Sequence, residues 1–558
     1  MKFCSIVHDL LTDARPEIVI FALNPTIYKI MTRTFLFALA LSLVPVSMFA
    51  GNNKTVAGYV YHDIDSNGVF DKKNEKGLPS IAVSNGRDVV LTDKNGRYEL
   101  PLYGDCEIFV IKPTGYAAPV NSYGIPQTYY VYRPAGSSAD MKYKGIAPTG
   151  KLPREVNFPL YPSQEPEKFS ILVFGDPQSR DRTDAGYFGQ QVVRPLIDSA
   201  SAYKFGILLG DISFNDLTVF EPVMNRAALI GIPWYPLPGN HDHNQDKNIK
   251  YDSLTCETYT DFFGPATYSF NYGKVHFIMT DDVVLPNPAG KSQYTGGLSE
   301  KQFAFIENDL KFVPKDYLVV FAGHIQLFDT NPAVETFRDA DRRRLLDLLG
   351  QFENSVSLSA HTHYIRPTFF SEEDGWKGNH RHLHINAGAT CADWYKGLPD
   401  PYGLPNAMMR DGSPQGYFTL DFDGNSYVHT YHASRQGDFR DMSISLGDSL
   451  SVGLQIPVYA NFYNGNELSV LSYRIDGGDW VKMDRVIEAD PVFSRLNKLW
   501  NNPQYKLPGR KVSGPVKSYH LWKALMPAFG KAGVHVAEVE AVDMYGRRYT
   551  EKYVFEVL

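Results

Sequence analysis

Five short polar motifs in the middle of the chain carry side chains that could bind metal ions. They are GDPQ (175–178), GDIS (210–213), GNHD (239–242), AGHI (322–325) and AHTH (360–363). Together they offer carboxylates, imidazoles and carboxamide oxygens, which are costly to bury side by side unless cations neutralise them. The motifs therefore predict a metal centre.

Two divalent ions would satisfy a donor set of this size. An ion pair about 3.5–4 Å apart needs one bridging carboxylate, further ligands for each ion and room for a bridging hydroxide. Asp211 lies in the second of the five motifs and is the predicted bridge. The donor types are compatible with Mn, Fe, Zn or Mg, and we expect two such ions as cofactors.

The segments around the motifs alternate between two hydrophobic patterns. The apolar runs are ILVF (171–174), FGILL (205–209) and YLVVFA (317–322), whereas FEPVMNRAALI (220–230) and KQFAFIENDLKFV (301–313) repeat with helical period. This alternation predicts buried strands covered by helices over residues 168–432. Each polar motif then lies just past the carboxyl end of a strand, where open α/β sheets place their sites.

The order of the motifs resembles the calcineurin-like metallophosphoesterase superfamily, whose pattern is DxH, GDxx, GNH, a lone His and GHxH. The resemblance implies an α/β fold with four layers, α/β/β/α. His241 would be a catalytic residue beside the scissile phosphate, not a ligand, and would donate a proton, which suits histidine near neutral pH. The implied metal ligands are Asp176, Gln178, Asp211 and His363 for the first ion and Asp211, Asn240, His324 and His361 for the second.

The sequence departs from the family pattern at two informative positions. Gln178 replaces a ligand histidine, which gives the first ion a neutral amide oxygen and predicts weaker binding or a different metal preference. Phe214 stands where related phosphatases have Asp or Tyr. The family residue that would orient His241 is therefore missing, and Asp242 and Asp216 are the two candidates for this role.

The segment 385–427 and both flanking modules are similar to a bacterial three-part group of this superfamily. In that group a metallophosphoesterase is framed by N-terminal and C-terminal β domains. Trp394, Arg410 and Asp411, together with Tyr395, are candidate substrate-binding residues, because an arginine can hold a phosphate through two hydrogen bonds. Packing at a turn or a rim is an equally good interpretation of each of them.

The flanking segments show short alternating stretches between turn residues, such as VAGYVYHD near the N-terminus and LSVLSYRID near the C-terminus. These stretches predict two small all-β sandwich domains around the metallophosphoesterase domain. The predicted organisation is an upstream extension over 1–30, a signal peptide over 31–50, an N-terminal β-sandwich over 51–163, the metallophosphoesterase domain over 164–435 and a C-terminal β domain over 436–558.

Residues 35–50 form a long apolar run, and the four residues before it, 31–34, include a basic side chain. This arrangement, with the small residue Ala50 at its end, is typical of a secretory signal peptide, and the run is too short for a membrane span. We therefore expect an exported protein, periplasmic or extracellular, that starts near Gly51 and has no transmembrane helix. Translation from Met31 would explain the segment before the signal.

A second candidate metal site lies near the start of the N-terminal module. Asp63, Asp65, Asn67 and Asp71 place oxygen side chains around Gly68, an arrangement that suits calcium. The match to an EF-hand loop is incomplete, because the twelfth position is Asn74 and Glu75 comes one residue late. A polar turn between two strands is the alternative.

The composition excludes several other classes of function. Lys plus Arg number 55 and Asp plus Glu number 62, a net charge of -7 without blocks of like charge, so nucleic acid is not an expected partner. The four cysteines contain no CxxC pair and predict no disulfide framework. RHLHIN (381–386) alternates like a strand, and its histidines, with His243 and His380, are predicted to be non-ligands.

These features predict an exported phosphoesterase with two metal ions. A metal-bridging hydroxide would attack phosphorus in line, His241 would assist the leaving group, and Asn240 would hold the second ion and contact phosphate. The expected substrate is a phosphate monoester or diester within a phosphorylated small molecule, a lipid head group or a saccharide. The alternative is a catalytically weak phospho-ligand or glycan binding protein, since Gln178 weakens one metal site.

Overall fold

The computed structural model describes residues 54–558, except 248, 287, 289–292, 332, 435–440 and 448–449. The predicted upstream extension and signal peptide lie outside the described residues. Within the described ranges, no helix is both long and apolar enough to cross a membrane. The three cysteines of this part of the chain, Cys106, Cys256 and Cys391, are free thiols.

The N-terminal strands form two sheets with a common apolar core. One sheet has the order β2-β1-β9-β7, with β5 also paired to β1, and the other has the order β4-β3-β6-β8. Val56, Val83 and Leu160 are fully buried between them, as alternating side chains on two facing sheets require. The strands are β1 (Thr55–His62), β2 (Lys76–Gly77), β3 (Ala82–Ser84), β4 (Val89–Leu91), β5 (Arg97–Pro101), β6 (Cys106–Val110), β7 (Tyr116–Ala117), β8 (Tyr129–Tyr132) and β9 (Phe158–Pro162).

The central strands also form two larger sheets, which pack face to face. Their orders are β12-β11-β10-β21-β22 and β13-β14-β17-β18-β20-β19. Ile171, Ile207, Val320 and Leu358 lie in the core between these sheets. The strands are β10 (Lys168–Phe174), β11 (Tyr203–Leu209), β12 (Trp234–Leu237), β13 (Tyr268–Tyr272), β14 (Val275–Met279), β15 (Val283–Val284), β16 (Thr295–Gly296), β17 (Leu318–Ala322), β18 (Asn354–Ser359), β19 (Ile365–Phe370), β20 (His382–Ala387), β21 (Gly416–Asp423) and β22 (Ser426–Ala433).

Helices cover the outer faces of both central sheets. Phe188 and Val223 pack on the five-stranded sheet, and Phe303 and Leu345 pack on the six-stranded sheet. The predicted four layers, α/β/β/α, are therefore confirmed. The helices are Arg182–Phe188, Phe220–Ala227 and Glu257–Phe263 on the first face, and Glu300–Asp309 and Asp339–Leu349 on the second.

The C-terminal strands form two further sheets, with the orders β23-β24-β28-β27 and β26-β25-β29-β30. One helix, Pro491–Asn501, accompanies them; Asp490 caps it by accepting from Phe493 N, and proline occupies its first turn. The strands are β23 (Met442–Leu446), β24 (Ile456–Phe462), β25 (Val470–Ile475), β26 (Val481–Lys482), β27 (Asp484–Val486), β28 (Leu521–Met526), β29 (Gly533–Val542) and β30 (Arg548–Val557).

Neighbouring strands β18 and β20 are joined by a buried ladder of serines and histidines. Ser357 Oγ lies 2.8 Å from His382 Nε2 and 2.8 Å from His384 Nδ1. Ser359 Oγ continues the ladder at 2.8 Å from His384 Nε2. The strand predicted from RHLHIN is thus confirmed, and its two histidines are used in hydrogen bonds within the sheet.

Burial in this ladder makes the protein sensitive to acid. It lowers the pKa of His382 to about 3 and that of His384 well below its usual value. Between about pH 6.5 and pH 3 these histidines are protonated in the unfolded chain but neutral in the folded chain. The free energy of unfolding therefore falls as pH falls, by about 1.4 kcal/mol per pH unit for each histidine. We expect His382→Gln to flatten the pH dependence of urea unfolding between pH 7 and pH 5 relative to the unchanged protein and to His535→Gln. Equal slopes in all three would contradict this assignment.

Candidate functional site

The five polar motifs follow strands that run side by side. Strands β10, β11 and β12 are parallel neighbours in one sheet, and β17 and β18 are parallel neighbours in the other. A hydrogen bond joins the two sheets at this edge. His361 N, in the loop after β18, donates to Asp176 Oδ2, in the loop after β10, at 2.9 Å. The fold therefore gathers side chains from motifs as distant in sequence as GDPQ and AHTH.

The residues expected to hold the second ion converge on one point. His324 Nε2 lies 3.1 Å from Asn240 Oδ1, 3.1 Å from His361 Nδ1 and 3.4 Å from Asp211 Oδ1. Asp211, His324 and His361 offer ligand atoms that all lie within 4.8 Å of one another. Such a set of oxygen and nitrogen atoms is suited to a divalent ion.

The protonation of His324 shows why a cation fits here. Its Nδ1 lies 2.8 Å from the Leu209 carbonyl oxygen and donates to it, so the lone pair of neutral His324 is on Nε2 and faces other acceptors. Burial opposes a charge on His324, but Asp211 outweighs it and raises the pKa to about 10. The cluster therefore needs positive charge at this point, either a proton on Nε2 or a metal ion.

The residues expected to hold the first ion also leave acceptors without partners. Gln178 Nε2 donates to Asp211 Oδ2 at 2.8 Å, while Gln178 Oε1 and Asp176 Oδ1 are buried with no hydrogen-bond donor. His363 Nδ1 lies 2.6 Å from the Ala392 carbonyl oxygen and donates to it, and burial lowers the pKa of His363 to about 4, which keeps its Nε2 lone pair available. These orphaned atoms fit a cation, and the assignment of ligands stays a prediction.

The backbone of the site is held in unusual conformations. Asp176, Gln178, Asp211, His361 and His363 all have positive φ angles between 27° and 66°. A Cβ atom makes positive φ angles unfavourable. Residues with such angles concentrate at functional sites, where the surrounding structure holds the backbone in this conformation. A Cβ on the glycine at 239 would lie 2.3 Å from Asp211 Oδ1, so only glycine permits this approach of the two loops.

His241 lies at the edge of this cluster and is partly exposed. Its backbone N donates to Asp211 Oδ1 at 2.9 Å, and its Nε2 is 4.0 Å from Asp211 Oδ2. The ring stacks on Phe214, with centroids 4.6 Å apart. His241 Nδ1 lies 2.9 Å from Asn215 Oδ1, so Asn215 accepts from it and orients Nε2 toward the centre.

The two carboxylates left open by the sequence as partners of His241 have other roles. Asp242 accepts from Ile212 N and Ser213 N, and it ties the loops after β11 and β12 together. Asp216 caps a short 3-10 helix by accepting from Thr218 N. The orienting residue is instead Asn215, whose φ of 67° places it in the left-handed region that asparagine tolerates.

The contact between Asn215 and His241 gives a testable expectation. Asn215→Ala removes one hydrogen bond, worth about 1.4 kcal/mol, so kcat should fall about tenfold with metal content unchanged. Because Asn215 acts through His241, the pH profile of kcat should also change shape. Asn215→Ser, which keeps an acceptor, should restore part of the rate. A normal pH profile in Asn215→Ala would contradict this positioning role.

The candidate substrate residues fall into two groups. Trp394 lies at the site, with its ring centroid 4.3 Å from that of His363 and its buried Nε1 without a partner. Tyr395 is buried and donates to the Pro177 carbonyl oxygen at 2.7 Å, which holds the loop of the first motif. Neither Arg410 nor Asp411 joins these two.

Asp411 is fully buried, and its carboxylate is occupied by other protein groups. Its Oδ2 accepts from Ile365 N at 2.8 Å and lies 3.0 Å from His520 Nε2, and its Oδ1 accepts from Ser413 N. Arg410 Nε donates to the Gly514 carbonyl oxygen at 2.9 Å. These contacts correct the expectation for Asp411, which packs the C-terminal strands against β19 instead of lining the pocket.

Two residues near the cluster were not predicted. Tyr294 places its ring 5.7 Å from that of His361, and burial raises its pKa to about 12, so its hydroxyl is available as a neutral donor. Asp282 accepts from His324 N at 2.9 Å and from Ile325 N at 3.1 Å, and so positions the His324 loop. Neither residue belongs to a motif, although the DD pair that follows β14 is a further polar cluster after a strand.

The candidate calcium site is also partly rearranged. Asp63, Asp65 and Glu75 bring carboxylate oxygens within 4.8 Å of one another, whereas Asp71 turns its carboxylate onto Lys73 N and Asn74 Nδ2. Asn67 Oδ1 accepts from Val69 N at 2.7 Å. Glu75, one residue late for an EF-hand, thus takes the place expected for Asp71.

Comparisons with known proteins identify the family of this chain. Family models match three segments: Calcineurin-like phosphoesterase over 169–364, its N-terminal model over 64–146 and its C-terminal model over 384–549. The probable glycerophosphodiester phosphodiesterase GpdQ of Arcobacter nitrofigilis is 25% identical over 170 residues, which are 30% of this chain and 59% of that protein.

Two solved structures are also similar. A dimetal phosphatase from Danio rerio is 13% identical, with a TM-score of 0.34 over 48% of this chain and 97% of that chain. Purple acid phosphatase PPD1 from yellow lupin (Lupinus luteus) seeds is 13% identical, with a TM-score of 0.36 over 69% of this chain and 67% of that one. From its three family segments, the chain belongs to the calcineurin-like phosphoesterases that have N-terminal and C-terminal flanking domains.

Proposed function

We propose that this phosphoesterase hydrolyses phosphodiesters at a centre of two metal ions. The observation that carries the diester preference is that two cationic side chains beside Trp394, Arg180 and Lys396, are bound to the protein itself. Arg180 donates to Asp184 Oδ2 and to the Trp394 carbonyl oxygen, both at 2.7 Å. Lys396 Nζ lies 4.5 Å from the centroid of the Trp394 ring and donates to Ser513 Oγ at 2.7 Å.

A monoester and a diester place different demands on such a site. A monoester dianion is best held by additional cationic groups around the phosphate, whereas a diester carries one charge and a second organic group. Phe214 stacks on His241 and meets Trp394 edge to face, and this apolar surface suits that second group. The relative from Arcobacter nitrofigilis, named a probable glycerophosphodiester phosphodiesterase, supports the same preference.

The metal ions would supply an activated water for attack on phosphorus and positive charge for its non-bridging oxygens. Asp211, between the two ligand sets, would be shared by both ions. His241 Nε2 would donate a proton to the leaving oxygen, and Asn215 would hold the ring in the orientation that makes this possible. The substrate would be a diester of a small molecule, a lipid head group or a saccharide.

The test compares two chromogenic esters. The purified protein is loaded with Mn²⁺ and assayed with bis(p-nitrophenyl) phosphate and p-nitrophenyl phosphate, with His535→Ala as a control for histidine replacement outside the site. We expect kcat/KM for the diester to exceed that for the monoester by at least about tenfold. A preference for the monoester would reject the diesterase proposal and leave the phosphoesterase assignment intact.

We also propose that Asp63, Asp65 and Glu75 bind a calcium ion. Three carboxylates in one loop are the hard oxygen ligands that calcium prefers. Ca²⁺ should raise the melting temperature of the protein, and Glu75→Gln should remove that increase while Glu99→Gln, on β5 of the same module, should keep it. An equal increase in all three proteins would exclude this site.

We further propose that the protein is exported through the segment 31–50. The support is the charged, apolar and small-residue pattern of that segment. Cell fractionation and the intact mass of the mature protein test it. Recovery of the uncleaved chain from the cytoplasm would contradict export.

A further inference from the structure

A second cluster of metal-binding side chain types lies outside the catalytic centre. His243, Cys256 and Asp281 offer one ligand atom each within 4.8 Å of one another. His243 Nε2 is 3.3 Å from Asp281 Oδ1. Cys256 Sγ is 3.7 Å from His243 Nε2 and 3.3 Å from Asp281 Oδ2. A thiol, an imidazole and a carboxylate thus face one another at one point.

The separations of His243 Nε2 from Asp281 Oδ1 and from Cys256 Sγ are close to those around a tetrahedral zinc ion, while Cys256 Sγ contacts the other oxygen of Asp281, Oδ2. Zn–S bonds of about 2.3 Å and Zn–N or Zn–O bonds of about 2.0–2.2 Å place neighbouring ligand atoms about 3.3–3.6 Å apart at tetrahedral angles. Cys256 Sγ is also 3.6 Å from His243 Nδ1, so coordination requires a rotation of the Cys256 side chain toward the Nε2 edge of the ring. The Asp281 side chain already lies at this edge.

The second nitrogen of His243 is held in the way that metal-binding histidines are held. Thr255 Oγ1 donates to the Asp252 carbonyl oxygen at 2.7 Å, which commits its hydrogen. Its oxygen therefore accepts from His243 Nδ1, also at 2.7 Å. The proton of neutral His243 is then on Nδ1 and the Nε2 lone pair points at a carboxylate, a contact that only a cation or an additional proton makes favourable.

We propose that His243, Cys256 and Asp281 bind a zinc ion that is separate from the catalytic metals. The sequence pattern predicts His243 to be a non-ligand, and the geometry points to the opposite. Asp252 lines the same surface cavity of about 180 Å³ as Cys256 and Asp281, so Asp252 or a water molecule would complete four ligands. Binding would release the thiol proton of Cys256 to solvent through this cavity.

The position of the site assigns it a bracing role. His243 lies in the loop that also carries Asn240 and His241, and this loop is joined to the following segment because Asn244 N donates to the Thr255 carbonyl oxygen at 2.6 Å. Asp281 follows β14 of the other sheet and precedes Asp282, which holds the His324 loop. A zinc ion here would connect the metal-binding loops of the two sheets.

The test measures zinc and cobalt binding by the full chain. Asp211→Asn serves as the background, because loss of the shared carboxylate weakens both catalytic metal sites and leaves this cluster intact. In that background, we expect about one zinc ion per chain to remain after dialysis. Co²⁺ in its place should give a thiolate-to-cobalt charge-transfer band in the near ultraviolet. Both signals should persist with Cys106→Ser, a buried cysteine in the N-terminal module.

Cys256→Ser should remove the charge-transfer band and the retained zinc. Asp281→Asn, which keeps the thiol, should lower zinc retention at least about tenfold while Co²⁺ at high concentration still gives the band. Equal zinc content with and without Cys256, and no band in any variant, would overturn the proposal. His243 would then be a protonated partner of the Asp281 carboxylate. Neither result depends on which phosphate ester the enzyme cleaves.

Discussion

Asp211→Ala should lower kcat/KM by at least about 10³-fold, because it removes the carboxylate that both catalytic ions would share. Metal ions contribute several kcal/mol to stabilisation of the transition state, and about 4 kcal/mol corresponds to a thousandfold in rate. The catalytic metal content should fall in parallel. Elemental analysis after gel filtration and assays with bis(p-nitrophenyl) phosphate measure both quantities.

The isosteric variant Asp211→Asn separates charge from shape. In the unchanged protein His241 N donates to Asp211 Oδ1. The asparagine keeps an acceptor for this bond but has no negative charge to offer the ions. The matched control is Asp216→Ala. It removes a carboxylate of the same loop, and the role of that carboxylate is to cap a short helix. Full metal content and wild-type turnover in either Asp211 variant would reject its role as the bridge.

His241→Ala should lower kcat for a dialkyl diester by about 10²–10⁴-fold without loss of metal, because proton donation to an alkoxide leaving group is worth this much and His241 is not expected to be a ligand. Its partly exposed Nε2, 4.0 Å from Asp211 Oδ2, is at the edge of the cluster, where a leaving oxygen would depart. The loss should appear in kcat more than in KM. His535→Ala, in the C-terminal module, should have no effect on either.

The identity of the leaving group tests the proton-donor role directly. A phenolate that leaves readily, such as p-nitrophenolate, needs little help, whereas an alkoxide requires a proton as the bond breaks. The rate lost in His241→Ala should therefore be greater for a dialkyl diester than for bis(p-nitrophenyl) phosphate. Equal losses for all leaving groups would show that His241 binds phosphate without donating a proton.

Phe214 and Asn215 lie where the sequence departs from its family pattern, and both contact His241. Phe214 stacks on His241, and the next residue, Asn215, accepts from its Nδ1. Gln245 Nε2 also donates to Asn215 Oδ1 at 2.9 Å, which fixes the amide in place. The ring of His241, the proposed proton donor, is thus oriented through neutral side chains.

Much of this protein follows from its sequence. Apolar runs that end in polar motifs predicted the strands of the central sheets that carry the motifs, because buried parallel strands are short, hydrophobic and followed by functional loops. The five motifs indicated the family and the four layers, both of which are confirmed. The proposed ligand set comes from the same motifs. Their residues directly follow strand ends, so their approximate position does not depend on the conformation of the longer loops.

Only the tertiary structure decided which side chains meet across those loops. Asn215 partners His241, Glu75 replaces Asp71 in the acidic loop, and Asp411 is buried against His520. Periodicity and motif spacing report on neighbours within an element, whereas these contacts depend on positive φ angles and on segments that approach from distant parts of the chain. The physical reason is that each buried polar atom must find a partner in the folded protein, and the packing of the sheets determines which partner is within reach.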